Sequence, residues 1–218
     1  DHALAGGFMS VYALAGLVFS LKIGRSMQRR GSGGFLGVAF FLFGAGSCAM
    51  LAWPENGWLV LAGRALEGVG FIVLAILCSF YANLSVGARH VALAAALVAT
   101  WIPLGQLLAS LTAPVFLARD MWEPLWWLGL LLTAATALWA FLLGRTRRGL
   151  FGPGAQSGSA AAAPPSPREL RCLRLAAATF MLWSAEMFAF LTWMPQFLVD
   201  EEGLEPALAV LVYAVPLL

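Results

Sequence analysis

Long apolar runs separated by short polar turns dominate the chain. The first run extends from about Gly7 to Met27 and ends in a basic turn, Gln28-Arg29-Arg30-Gly31-Ser32-Gly33. The second runs from about Gly34 to Trp53 and stops at Pro54-Glu55-Asn56-Gly57, a cluster of turn formers. Three more follow, at about Trp58–Tyr81, Val91–Leu117 (with Pro103 and Pro114 inside) and Pro124–Leu143. A sixth covers about Leu173–Met194, and a seventh begins at Pro206, a residue suited to a helix's first turn. These runs are apolar on every side rather than along one stripe. An apolar stretch of roughly 18 or more residues reads as a membrane-spanning helix, and internal prolines are tolerated there when neighbours re-satisfy the backbone. The pattern predicts an all-α, polytopic membrane bundle.

Composition agrees with this reading. Hydrophobic residues make up 61% of the chain and charged residues 11%, against about 45–50% and about 25% in soluble domains. The stretch from Gly149 to Pro167 is different, being rich in Gly, Ala, Ser and Pro. It has too little apolar bulk for a core and reads as a flexible linker. The expected organisation is a first half-bundle at 1–145, an inter-half linker at 146–172 and the start of a second half-bundle at 173–218. The chain opens on Asp1 without an initiator Met or a signal peptide and stops at Leu218 within an apolar run, so it reads as a piece cut at both ends.

Charge placement adds orientation. If the spans alternate, one side holds Lys22, Arg25, Arg29, Arg30, Arg89, Arg145, Arg147, Arg148, Arg168, Arg171 and Arg174. The other holds Arg119, with Asp1, Glu55, Asp120, Glu123, Asp200, Glu201, Glu202 and Glu205. The Lys/Arg-rich side is expected to be cytoplasmic. The linker is then expected in the cytoplasm; the membrane itself is expected to be the plasma (inner) membrane. Lys22 snorkels to the interface.

Few residues carry candidate chemistry. Arg64 and Glu67 lie within the third span, one helical turn apart, close enough for an i,i+3 pair. An arginine inside a span costs about 2.5–3.5 kcal/mol on insertion scales, so it is expected to face a partner or a wet cavity. The sixth span carries Glu186 on one face with Thr179, Trp183, Phe190 and Trp193. Gln106 and Trp101 are candidates to face a cavity. Each feature also has a plainer reading: a structural pair joining two helices for Arg64 and Glu67, and lipid or helix packing for Trp183 and Trp193. Tyr12 and Ser20 are too common in such spans to weigh. Cys48, Cys78 and Cys172 have no metal-ligand spacing, and His2 and His90 are far apart and lie at loop positions, so neither metal nor cofactor is expected. No aspartate lies within a span, which leaves no paired-aspartate protease, and no histidine cluster exists for a membrane desaturase. The chain is not expected to be an enzyme or to bind nucleic acid.

Several of these residues resemble signatures of the major facilitator superfamily. Gly24-Arg-Ser-Met-Gln28-Arg29-Arg-Gly31 is similar to the cytoplasmic turn Gly-x-x-x-Asp-Arg-x-Gly between that family's second and third helices. Gln28 replaces the acid, so it hydrogen-bonds but cannot form the ion pair of the inner gate. The alternative is a basic turn that only fixes topology. Arg64-Ala-Leu-Glu67-Gly68-Val-Gly70 resembles the Arg-x-x-Gln-Gly-x-Gly of the fourth helix. Gly105-Gln-Leu-Leu-Ala109-Ser110-Leu-Thr-Ala113-Pro114 keeps the small residues of the fifth-helix motif of drug–proton antiporters but lacks its central Gly-Pro, which argues against a drug exporter. The sixth span and its exit Trp193-Met-Pro195 look like the family's seventh helix. The resemblance implies twelve helices in two six-helix halves, of which this chain spans the second to the start of the eighth. It implies a monomeric secondary transporter of a small solute, working by alternating access around a midplane site. Arg64, Glu67, Glu186, Gln106 and Trp183 are the candidates for substrate binding and proton coupling, and Gly24, Gln28, Arg29 and Gly31 for the gate. A proton-driven drug or metabolite efflux antiporter and a non-transporting sensor on the same fold are the alternatives. For the substrate, Arg64 suits an anion and the Trp-rich faces suit an amphipathic organic molecule.

Overall fold

A computed structural model describes residues 2–30, 32–84, 86–119, 121–146 and 166–214. The helices are α1 (His2–Arg30), α2 (Gly33–Ala52), α3 (Gly57–Leu84), α4 (Val91–Ala99), α5 (Trp101–Leu117), α6 (Glu123–Thr146), α7 (Pro167–Asp200) and α8 (Pro206–Ala214), with a short 3-10 turn at Ala88–His90. No strand occurs among the described residues. Hydrocarbon offers the backbone no hydrogen-bond partner, so a spanning segment must satisfy its own amides, as a helix does. The 20 residues of α2 rise about 30 Å, the thickness of a bilayer's apolar core. The 29 residues of α1 exceed it. Among the described residues, Gly33–Ala52, Gly57–Asn83, Val91–Leu117, Glu123–Arg145 and Pro167–Asp200 are long and apolar enough to cross a membrane.

The helix ends follow local chemistry. After α2, the Trp53 amide still donates to the Ala49 carbonyl at 3.3 Å. The turn then closes on Asn56, whose carbonyl accepts from the amides of Leu59 and Val60, both at 3.0 Å, while its Oδ1 accepts from the Leu59 amide at 3.3 Å. The expected span 91–117 is divided at Thr100 into α4 and α5. Pro103 explains the division: it has no amide hydrogen for the Ala99 carbonyl four residues earlier, and its ring crowds that carbonyl. Thr100 bridges the joint, its amide donating to Ala96 at 3.2 Å and its carbonyl accepting from Leu104 at 3.0 Å.

Helix α7 begins before the apolar run does. Ser166 caps it, with its Oγ accepting from the Glu169 amide at 3.3 Å and the Glu169 carboxylate accepting from the Ser166 amide at 2.7 Å. Pro167 occupies the first helical position. This reciprocal arrangement is a capping box, and it makes residues 167–172, assigned to the linker from hydropathy, helical. The linker residues 147–165 lie outside the described residues. Ser166→Ala is expected to cost about 1 kcal/mol of helix-end stability, read as faster amide exchange in the first turn of α7 with the rest of the helix unchanged.

Two compact units emerge, Asp1–Gln106 with Asp120–Gly158, and Leu107–Arg119 with Ser159–Leu218. In the first, α3 packs against α1, α2 and α4, and α2 also packs against α6. Small residues set these distances. A Cβ on Gly68 would overlap the Tyr12 backbone of α1, and one on Gly63 would lie 2.8 Å from the Gly46 carbonyl of α2. Without side chains there, the backbones approach closely, as membrane helices do in place of a hydrophobic drive to associate. At the end nearest the α1–α2 turn, Met27, Ala39, Val73 and Leu77 form a buried cluster. It is topped by a 2.5 Å hydrogen bond between the Ser32 and Tyr81 hydroxyls. Outward residues such as Phe41, Leu131 and Trp139 are exposed, a surface suited to lipid. In the second unit α7 packs against α8, where Ala209 is fully buried.

Candidate functional site

Arg64 sits seven residues into α3 from Gly57, about 10 Å along the axis at 1.5 Å per residue. Glu67 is one turn deeper, about 15 Å along and so near the middle of a roughly 30 Å core. Arg64 Nη1 donates to Glu67 Oε2 at 2.6 Å, a short charge-assisted contact. The other carboxylate oxygen, Oε1, accepts from Ser47 Oγ on α2 at 2.8 Å. Gly46 makes this reach possible, because a Cβ there would lie 2.8 Å from Glu67 Cγ. The Glu67 side chain is 5% exposed and the Arg64 side chain 19%. A charge buried this far must be paired and hydrogen-bonded, and both carboxylate oxygens are.

The guanidinium also meets aromatic faces. It lies 4.8 Å from the centre of the Tyr12 ring on α1 and 6.0 Å from that of Trp126 on α6, within cation–π range. Tyr12 contacts Phe71 at 5.4 Å, and Phe71 stacks on Trp101 of α5 at 5.1 Å. Helices α1, α2, α3 and α6 thus converge on one ion pair, and an aromatic row leads from it to α5. Tyr12, unweighed in the sequence, is a central element of this cluster. The only sequence signal for it is indirect. Arg64 needs a partner, Gly68 admits a backbone one turn beyond, and that backbone is Tyr12's.

The other sequence candidates are more dispersed. Gln106 is half-buried on α5 in the first unit. Glu186 is exposed on α7 in the second unit. Trp183 on the same helix is 53% exposed and contacts Phe180 at 5.7 Å. Of the gate-like turn, Arg29 is exposed in the last turn of α1, and Gly24 has open space around its Cβ position. Gly31 and the Gln28 side chain lie outside the described residues.

The family model of the Major Facilitator Superfamily matches residues 1–218. Neither a curated protein nor a solved structure matches the chain. The match covers every helix described above, including the span that carries the Arg64–Glu67 pair, and the chain belongs to the major facilitator superfamily.

Proposed function

We propose that this chain is part of a proton-coupled secondary active transporter that moves a small solute by alternating access. Family membership makes it a multi-pass integral membrane protein and a membrane transporter of that superfamily, whose members handle small-molecule substrates. Proton coupling, residue roles and orientation are the proposal. The observation that carries it is the paired Arg64 and Glu67 near mid-bilayer, with Glu67 bound also to Ser47 across the α2–α3 interface. Intramembrane ionisable groups are expensive and mark ion and substrate paths. On this reading Glu67 takes and returns a proton while Arg64 alternates between it and the solute. Glu186 is the corresponding carboxylate of the second unit, lying on one helix face with Trp183. The basic side is cytoplasmic in the plasma (inner) membrane, the 146–172 linker lies there, and the protein acts as a monomer.

The aromatic row Tyr12–Phe71–Trp101 favours a second reading of the same machinery, an efflux antiporter for an amphipathic organic solute. Vesicle flux across a solute panel, with the proton gradient in either orientation, separates uptake from efflux. A sensor that does not transport would give no flux at all.

The coupling test uses amides. Glu67→Gln keeps a carbonyl oxygen to accept from Arg64, and its amide NH2 can donate to Ser47 Oγ once that hydroxyl turns to accept, so the fold is expected to hold. Reconstituted Glu67→Gln is expected to lose proton-driven accumulation while solute exchange down its gradient persists. Glu186→Gln is expected to flatten the pH profile of transport. Profiles unchanged in both variants would end the proton-coupled reading.

A further inference from the structure

Away from the ion pair, α2 and α6 enclose a groove of about 550 Å³ that the transport reading does not use. It runs from Gly33 to Phe40 on α2 and from Ala137 to Arg145 on α6. At 1.5 Å per residue this is about 10–12 Å, most of one leaflet of a roughly 30 Å core. Its walls are apolar: Leu36, Phe40 and Phe141 supply the bulk, and Gly37, Ala137 and Ala140 leave the floor open. One end carries charge. The Arg145 guanidinium lies 5.6 Å from the centre of the Phe141 ring, and among the described residues it has no carboxylate partner. Arg29 and Arg30, exposed at the end of α1, precede Gly33 by four and three residues. The groove is therefore cationic at the basic membrane face and hydrocarbon toward the midplane.

We propose that this groove binds one anionic phospholipid, with its phosphate at Arg145 and an acyl chain laid along Gly37 and Phe40 between α2 and α6. Charge and shape complementarity favour this occupant. Basic recesses between membrane helices on the cytoplasmic side attract anionic headgroups. A free phosphate would use the Arg145 end and leave the apolar length empty, whereas a neutral lipid would fill the length and leave the cation unmatched. The site is separate from the coupling reading, because the groove uses residues 33–40 of α2, whereas Glu67 is bound from Ser47, further along that helix.

The test titrates the purified full-length protein in detergent with dioleoyl phosphatidylglycerol or dioleoyl phosphatidylcholine and reads lipid adducts by native mass spectrometry. One phosphatidylglycerol should be retained in preference to phosphatidylcholine. Arg145→Ala should weaken it about fivefold, the worth of one cation beside an anionic lipid. Arg25→Ala, which removes a charge outside the groove, should leave affinity unchanged. Gly37→Leu should remove the adduct by filling the floor, and it should fold, because a Cβ at Gly37 meets nothing within 4 Å. Thermal midpoints check this, and if Gly37→Leu loses the fold, the Arg145 and Arg25 comparison decides alone. Equal binding of the two lipids, equal losses in Arg145→Ala and Arg25→Ala, or full binding to a folded Gly37→Leu would each overturn the proposal.

Discussion

Gly68→Ala is expected to drive α1 away from α3 and to destabilise the first unit more than any other single-methyl insertion in it. The new Cβ would overlap the carbonyl oxygen, carbonyl carbon and Cα of Tyr12. All three are backbone atoms of a helix, so no rotamer change relieves the clash, and the helices must part. Adding a methyl group to a packed contact commonly costs about 1–3 kcal/mol, and Gly68 belongs at or beyond the top of that range. A graded series checks the cause. Gly63→Ala meets the Gly46 carbonyl at 2.8 Å and the Met50 side chain at 2.9 Å, so part of its strain falls on a flexible methionine. Gly16→Ala meets the Gly68 carbonyl at 3.2 Å and needs a shift of only a few tenths of an ångström. Gly129→Ala meets nothing within 4 Å and should be neutral or stabilising, because alanine restricts the unfolded chain. Thermal midpoints in detergent should therefore fall in the order Gly129→Ala, Gly16→Ala, Gly63→Ala, Gly68→Ala. A Gly68→Ala midpoint equal to that of Gly129→Ala would remove the close α1–α3 crossing.

That crossing also marks where sequence reading stops. The helices were legible because hydrocarbon imposes one requirement on every residue of a span, and the run from Gly34 to Trp53 meets it without reference to any neighbour. The i,i+3 pairing of Arg64 with Glu67 was legible for a similar reason, since helix geometry alone places them together. Helix ends were less so. The start of α7 at Pro167 depends on Ser166 and Glu169, polar residues that hydropathy counts as linker. The break at Thr100 depends on what Pro103 withholds from Ala99, although both prolines of that span were seen. The partners of the ion pair were not legible. Ser47 and Trp126 come from other helices, 20 residues before Glu67 and 62 after Arg64, and no local pattern ties them to α3. Gly46 reads as one more small residue until Glu67 is seen lying against it.

Removing the guanidinium is the strongest functional test of the pair. Arg64→Ala is expected to bring solute flux to background while the protein still reaches the membrane. Losing an arginine from a span relieves about 2.5–3.5 kcal/mol on insertion scales, which offsets part of the roughly 3–5 kcal/mol lost when one partner of a buried pair is removed. Membrane expression measured beside flux separates lost transport from lost protein. The carboxylate of Glu67 keeps its hydrogen bond from Ser47 at 2.8 Å, so it is not stranded entirely. Arg64→Lys retains the charge but not the planar group that faces Tyr12 at 4.8 Å and Trp126 at 6.0 Å, and partial flux at best is expected from it. The competing view is that the pair only joins helices, with Arg64 holding Glu67 in place for Ser47. The double variant Arg64→Met with Glu67→Gln separates the two views. It carries no buried charge, and replacing a buried ion pair with groups of similar volume is often neutral or stabilising. Its thermal midpoint should recover relative to Arg64→Ala on either view. If the pair were only a staple, flux should recover with the midpoint. If Arg64 and Glu67 carry the coupling, the midpoint rises and flux stays at background, because a neutral site has neither a proton to exchange nor a cation to offer the solute.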